Sequence, residues 1–433
     1  MHHLHPDEIP SLVYANQQGE IKNFPGIHMA GKSGNFFFKP ALEELIPLPE
    51  GSELFLLPER LPVGISPEND SPVKLDHDPD TPHETIQAVA AFIAPAHTAI
   101  HTAAYEKIRN DLAPLPLFAY TAVGWHNGRF WVSAFRSDSD CRQDARSFDS
   151  EKIKKKTIQK LKKNPGNRLI QHLGKCCLTY GCPAARNYFL GRWEAPLPTS
   201  PICNARCVGC ISLQASGCCP ATQDRINFVP KVSEIVSLAV PHLKQAQQAI
   251  VSFGQGCEGE PLMQASTLEK AIRSIRSQTE CGTINLNSNA SLPGQIKLLA
   301  EAGLDSLRVS LNSAREACHA RYYRPVNFSL ADVLESIDVM KQAGRFVSLN
   351  YFILPGFTDD QNEFAALCKL IDTHQPDLIQ LRNLNMDPDW YLETVKHQPS
   401  SQPMEPMGIT NWFAELKKLF PALRFGYFNP SLH

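Results

Sequence analysis

Apolar and polar positions change rhythm partway along this chain of 433 residues. From residue 193 onward, short apolar runs alternate with longer stretches whose apolar residues recur every three or four positions. Ala249–Gly254 (AIVSFG), Thr283–Asn287, Ser306–Leu311, Phe346–Phe352 and Asp377–Leu381 read as strands. Leu268–Ser277, Pro293–Ala302, Leu330–Ala343 and Asp359–Thr373 read as amphipathic helices. Gly303 and Gly344 close two of them, and Ser266-Thr267-Leu268-Glu269 predicts a capping box opening the first. With a strand near Trp193–Pro198, the pattern amounts to about six βα units, which implies parallel pairing with right-handed crossovers. That is too few for a closed eight-stranded barrel. The expected fold is α/β: a partial (β/α)6 TIM-like barrel over 193–385, with its active site at the carboxyl ends of the strands. Asn411–Lys418 and Leu423–Phe428 predict one more helix and strand, in a C-terminal extension (386–433) that packs on the barrel.

Residues 1–192 follow another pattern. Phe118–Trp125 and Arg129–Arg136 flank His126-Asn127-Gly128, and Asn-Gly between apolar runs is a strong hairpin signal. Asn35–Lys39 and Glu53–Leu57 also read as strands. Proline is dense across 40–82. These features predict an N-terminal β-rich α+β domain, for which substrate recognition is the default role, followed by a Cys-rich linker (176–182). Gly26–Ser33 fits the phosphate-loop pattern G-x4-G-K-[ST]. Its flanks do not supply the strand and helix that such a loop needs, so nucleotide hydrolysis is not expected. His97 and His101 lack a third ligand and read as structural.

Composition narrows the classes further. Net charge is −2, so the chain is not built overall as a nucleic-acid binder. Seven lysines in Glu151–Lys163, with Ile153, Ile158 and Leu161 at helical spacing, predict a solvated helix face that an anionic partner such as RNA could meet. No apolar run approaches membrane-spanning length. Thirteen cysteines without a secretory leader point to a reducing, cytoplasmic setting and to metal or redox use.

Three of these cysteines carry the strongest chemistry. Cys203, Cys207 and Cys210 stand in C-x3-C-x2-C spacing just after the expected first strand. Thiolates so spaced can hold three irons of a [4Fe–4S] cube and leave the fourth iron open for a ligand. A zinc site completed by Cys218 or Cys219 is the plainer alternative, although zinc knuckles favour C-x2-C pairs. After the second strand the chain reads Gly254-Gln255-Gly256-Cys257-Glu258-Gly259-Glu260-Pro261. Glycines there let backbone approach a ligand closely, and a carboxylate beside them accepts from a cationic amine.

These residues resemble the radical S-adenosylmethionine (radical SAM) enzyme superfamily over about residues 195–385. The cysteine triplet is similar to the family's cluster loop, and Glu258-Gly259-Glu260-Pro261 to its Gly-Gly-Glu-Pro turn, with Glu258 where glycine is usual. The resemblance implies that Glu260 holds the amino group of S-adenosylmethionine, with Gly259 and Pro261 in the same cofactor-binding turn. Leu307–Asn312 looks like the fourth-strand segment, which implies that Ser310 and Asn312 touch ribose or carboxylate. Arg321 or Arg324 would pair with that carboxylate. Asn350–Gly356 resembles the fifth-strand segment beside adenine. The implied activity is reductive cleavage of S-adenosylmethionine to methionine and a 5′-deoxyadenosyl radical, which abstracts hydrogen from a substrate. It needs a low-potential electron donor of the flavodoxin or ferredoxin type.

The substrate is open, with peptide or protein modification and RNA modification as the leading classes. A cobalamin-dependent radical methyltransferase is an alternative, and a non-enzymatic zinc-stabilised binding protein is another. Of the remaining cysteines, Cys176, Cys177, Cys182, Cys218 and Cys219 are candidates for a second iron–sulfur cluster, against the alternative of buried idle thiols. Cys257, within the turn, is a candidate catalytic thiol facing the active-site mouth.

Overall fold

The computed structural model describes residues 8–214, 219–395 and 405–433. It divides into two compact units. One comprises the residues through Ser139 together with Phe352–Cys368 and Leu381–Pro421; the other comprises Asp140–Tyr351, Lys369–Gln380 and Ala422–His433. This division does not follow boundaries at 192 and 385, because the helices after residue 140 join the second unit and much of the C-terminal extension joins the first.

The first unit is built on an eleven-stranded sheet. Ser11–Ala15 pairs antiparallel with Ile21–Met29, with Gln87–Phe92 and with Val123–His126. Val13, Ala15, Val89, Ala91, Val123 and Val132 form one core cluster of this sheet. The predicted hairpin is present: His126 pairs with Arg129. Asn127 and Gly128 take φ of 47° and 75°, the two positive values that a tight primed turn requires. The phosphate-loop lookalike lies in strands. Gly31–Ser33 pairs with Phe36–Phe38, and Lys32 Nζ is 2.9 Å from Asp389 Oδ1. His97 and His101 are buried, with His101 Nδ1 2.8 Å from Ser133 Oγ.

The second unit opens with three helices, α1 (Ser150–Lys163), α2 (Arg168–Leu178) and α3 (Pro183–Leu190). The expected Cys-rich linker is therefore largely helix: Cys176 and Cys177 are buried in α2. The apolar period of Leu169, Ile170, Leu173, Cys176 and Cys177 carries that helix, with cysteine acting as a small hydrophobe. A seven-stranded sheet follows, with its strands side by side in chain order: Arg192–Leu197, Gln247–Phe253, Thr283–Ser288, Ser306–Leu311, Phe346–Ile353, Leu378–Asn383 and Arg424–Gly426. The recorded pairings are parallel, including the last strand on the sixth. This is the expected partial barrel, with the first and last strands at its edges.

Between the strands lie α4 (Val232–Gln245), α5 (Ala265–Arg276), α6 (Pro293–Ala302), α7 (Glu316–Tyr323), α8 (Leu330–Gln342) and α9 (Gln361–His374). The capping box predicted at Ser266 is not the start of α5. The helix begins at Ala265, directly after a 3-10 turn over Pro261–Gln264. In place of that box, the Glu260 carboxylate caps the 3-10 turn by accepting from the Leu262 N–H.

One carboxylate joins α2 to α4. Glu234, in the first turn of α4, accepts from the Arg168 N–H and side chain and from the Lys231 N–H. The Arg168 guanidinium foremost pulls its pKa from 4.5 to about 2. A depressed carboxylate pKa stabilises the fold above the unfolded value, and that contribution disappears as pH falls through the folded value. Glu234→Gln is expected to cost about 1–3 kcal/mol near neutral pH. Urea denaturation at several pH values should show the gap between variant and parent closing below pH 4.5 towards about 2. A gap that stays constant across that window would contradict this assignment.

Candidate active site

Loops at the carboxyl ends of the first four parallel strands build the site. After the first strand, the loop bearing Cys203, Cys207 and Cys210 is held along its main chain. Arg206 and Val208 N–H donate to the Tyr323 and Tyr322 carbonyls at 2.9 and 3.0 Å, and Asn204 O accepts from Val326 N–H at 2.8 Å. These bonds hang the loop on the end of α7. The Asn204 side chain donates to Ser291 Oγ and accepts from Asn289 Nδ2, both at 2.8 Å.

The turn after the second strand is stitched to the same loop. Gly259 N–H donates to Ser200 O at 2.7 Å, and Glu260 N–H donates to Ile202 O at 2.9 Å. A Cβ on Gly259 would lie 2.0 Å from Ile202 O, so only glycine allows this approach. Gly254 bends the same turn at φ 77°, with Asn287 O 1.7 Å from where a Cβ would sit. Pro261 occupies the first position of the 3-10 turn, where its missing N–H costs nothing.

Glu258, which replaces the usual glycine, is fully used. Its Oε2 accepts from the Thr199 N–H at 2.7 Å and the Ser200 N–H at 2.9 Å, and its Oε1 from the Gln255 N–H at 2.7 Å. The departure from the family pattern thus adds a carboxylate that clamps the entry of the cysteine loop. Glu260 is equally ordered. Its Oε1 accepts from Ser288 Oγ at 2.6 Å and Leu262 N–H at 3.0 Å, and its Oε2 from Asn289 N–H at 2.9 Å. Burial pushes both carboxylates up to about 7.

The thiols suit a cube better than a single ion. Among the described residues, the one group of three or more His, Cys, Asp or Glu ligand atoms lying within 4.8 Å of one another is elsewhere, so the sulfurs of Cys203, Cys207 and Cys210 are not gathered that tightly. One zinc ion would draw its ligand sulfurs to about 3.8 Å apart, whereas ligands on separate irons stand wider. Burial raises the Cys203 thiol to about 11 and the Cys207 thiol above its usual range. Metal binding must therefore displace protons from both. Arg225 donates to Cys210 Sγ at 3.4 Å and places a cation beside that ligand. Cys218 lies outside the described residues.

Sheet pleating lays out a polar surface beside these loops. Successive side chains alternate faces along a strand. Ile284, Leu286, Leu307, Val309, Val347 and Leu349 are fully buried on one face. Ser252, Asn285, Asn287, Arg308, Ser348 and Gln380 occupy the other, joined by hydrogen bonds from Asn285 to Ser252, from Arg308 to Gln380 and from Gln380 to Ser348. Ser310 and Asn350 are register partners on that polar face. The Asn350 Oδ1 is buried and accepts no hydrogen bond from a described residue.

Other expected site residues fare differently. Asn312 is buried and donates to Cys318 O at 3.2 Å, which anchors the start of α7. Arg321 is exposed in the last turn of α7. Cys257 does not face the mouth. It is 5% exposed, and its sulfur lies 3.4 Å from His172 Nε2 on α2, because the turn points this side chain back towards the helices. Cys177 faces Thr157 of α1 instead, at 3.4 Å. The candidate second-cluster thiols thus diverge on α2, since adjacent residues of a helix leave it about 100° apart. Sequence reading missed Glu258, Ser288, Asn289 and His172. A signal existed for the last, since His172 and Cys176 stand at i, i+4.

The family model described as the Radical SAM superfamily matches residues 197–368. The chain carries a radical SAM domain. It is similar to GTP 3′,8-cyclase from Pelotomaculum thermopropionicum, at 27% identity over 222 residues, which is 51% of this chain and 62% of that protein. The alignment therefore spans less than two thirds of the relative. Among solved structures, methylornithine synthase (PylB) aligns at 14% identity over 66% of this chain and 74% of the other, with TM-score 0.37. SuiB of Streptococcus suis bound to S-adenosylmethionine aligns at 11% identity over 65% and 67%, with TM-score 0.37. A radical SAM domain uses a [4Fe–4S] cluster and S-adenosylmethionine. No described helix is long and apolar enough to cross a membrane.

Gly259→Ala is expected to destabilise the domain by about 1–3 kcal/mol through overpacking, and to reduce the iron retained per chain after anaerobic reconstitution. Thermal melting and iron analysis together check this. Parent-like values in both would show that the turn does not need the close approach.

Proposed function

We propose that this chain is a radical SAM enzyme that binds its cluster through Cys203, Cys207 and Cys210, and S-adenosylmethionine through the Glu260 turn and the Ser310–Asn350 pair. Its substrate is a polar molecule held on the hydrophilic face of the sheet. The observation that carries this reading is the double main-chain stitch from Gly259 and Glu260 to Ser200 and Ile202. It sets a buried carboxylate beside three thiols at the strand ends.

When bound, the cluster and cosubstrate supply a 5′-deoxyadenosyl radical, after one electron arrives from a low-potential donor of the flavodoxin or ferredoxin type. The chain's own residues do the rest. Ser288, Asn289 and Leu262 hold the Glu260 carboxylate in one orientation, ready to accept from a cationic amine. Asn350 Oδ1 offers a further acceptor. Arg225 offsets negative charge at Cys210. The polar face (Ser252, Asn285, Arg308, Gln380) orients the substrate, and Arg308 adds positive charge there. In this reading Arg321 pairs with the cosubstrate carboxylate, and Asn312, while its amide donates to Cys318 O, turns its Oδ1 to the ribose or carboxylate.

Peptide or protein modification and RNA modification are the two substrate classes that we carry forward. The name of the cyclase relative adds a purine nucleotide to the substrates worth assaying. The helical lysines are only partly available: Lys156 donates to Leu190 O, and Lys160 sits 3.7 Å over the Tyr188 ring. Cobalamin chemistry has no support in the first unit, where the recorded pairings of the large sheet are antiparallel.

The test is anaerobic reconstitution with reductant and S-adenosylmethionine, reading 5′-deoxyadenosine by mass spectrometry. Product is expected from the parent and none from Cys203→Ala; normal product in that variant would sink the assignment. Adding peptide, RNA or nucleotide pools should raise the yield only for the right class. Glu260→Gln should weaken S-adenosylmethionine binding about 10- to 100-fold, the loss of one charge-assisted hydrogen bond. The parent's affinity should fall as pH drops below about 7, where Glu260 takes up a proton, and the glutamine variant should lose that dependence. Calorimetric titration across pH checks both.

A further inference from the structure

Among the described residues, the radical SAM reading leaves unused one largely buried group of ligand-type side chains, with His172 half-buried. His172 and Cys176 lie one turn apart on α2, and Cys257 reaches them from the turn after the second parallel strand. His172 Nε2 is 3.4 Å from Cys257 Sγ and 3.5 Å from Cys176 Sγ. All three ligand atoms lie within 4.8 Å of one another. Cys176 and Cys257 are 2% and 5% exposed.

These separations are hydrogen-bond distances, and they also suit one kind of metal ion. With zinc–sulfur bonds near 2.3 Å and zinc–nitrogen bonds near 2.0 Å, two ligands of a tetrahedral ion stand about 3.5 Å apart for S···N. The observed 3.4 and 3.5 Å match that edge. A cubane would need the sulfurs on separate irons, hence wider spacing, and would not gather an imidazole into the same small triangle. Two thiolates and an imidazole form a soft set that suits zinc.

We propose that His172, Cys176 and Cys257 form a mononuclear zinc site, separate from the cluster loop. Binding replaces the protons of the two thiols, which pass to solvent, and takes the imidazole as its neutral base through Nε2; no electron is transferred. Three protein ligands leave a fourth tetrahedral position. Cys182, which follows α2, is tied to it along the main chain: its N–H donates to Cys176 O at 3.0 Å. The site staples α2 to the turn that carries Glu258, Gly259 and Glu260. Its role is to fix that turn, and the inference stands without the radical SAM chemistry.

The experiment uses the full chain with Cys203→Ala, Cys207→Ala and Cys210→Ala combined, so that the cluster loop cannot hold metal. One zinc per chain is expected. Cobalt(II) substituted for it should give the intense visible bands of a tetrahedral ion and a thiolate charge-transfer band. His172→Ala or Cys176→Ser in that background should lower bound metal at least tenfold. Those variants could unfold, so zinc-edge X-ray absorption on the unmutated chain is the second measurement. A first shell containing both sulfur and nitrogen supports the site, and a shell of oxygen and nitrogen alone overturns it. A zinc-free triple variant, or eight irons and no zinc in the unmutated chain, also overturns it. Failure of 5′-deoxyadenosine formation bears on the preceding proposal and leaves this one standing.

Discussion

The site depends first on two backbone hydrogen bonds made possible by one missing side chain. Gly259 brings the turn after the second strand close enough for its own N–H and that of Glu260 to reach Ser200 and Ile202. The loop that carries the cysteines has little regular structure, and a loop gains precision only from what it is tied to. Here it is tied on one side to this turn and on the other to the Tyr322 and Tyr323 carbonyls of α7. Glu258 adds a third tie through Thr199 and Ser200. Its carboxylate is buried, and it survives burial because backbone amides satisfy both oxygens.

The second constraint is the two-residue period of the strands. One face of the parallel sheet is apolar and packs under helices; the other is lined by Ser, Asn, Gln and Arg bonded to each other. A hydrocarbon core on both faces would be the simpler way to build a stable sheet. The polar face costs desolvation, which its internal hydrogen bonds offset, while the buried Asn350 Oδ1 accepts no hydrogen bond from a described residue. A partial barrel can keep such a face because its edges are not forced closed around it.

Cysteine shows how one residue type takes on different work within a short span of chain. Cys203, Cys207 and Cys210 sit in a loop, with sulfurs held apart. Cys176 and Cys257 sit beside His172, with sulfurs held close. Cys177, next in sequence to Cys176, turns to Thr157 and packs between α1 and α2. Spacing along the chain distinguishes the first group, and of the second only the His172–Cys176 pair at i, i+4. The second is assembled from α2 and a turn 85 residues away in sequence, and no local pattern encodes such a meeting.

The sequence by itself determined what depends on local period and local chemistry: the alternation of strands and helices, the Asn-Gly hairpin, the cysteine triplet and the glycine–glutamate turn. These are legible because side-chain periodicity and backbone freedom act over a few residues. Tertiary structure decided the rest. It turned Cys257 from the expected mouth towards His172, made Glu258 a clamp, set Asn312 to anchor α7, and drew α2 out of a stretch that reads as a linker. It also assigned Leu381–Pro421 to the unit built on the N-terminal strands. Each of these outcomes depends on which distant backbone groups come into reach, and long-range packing alone settles that.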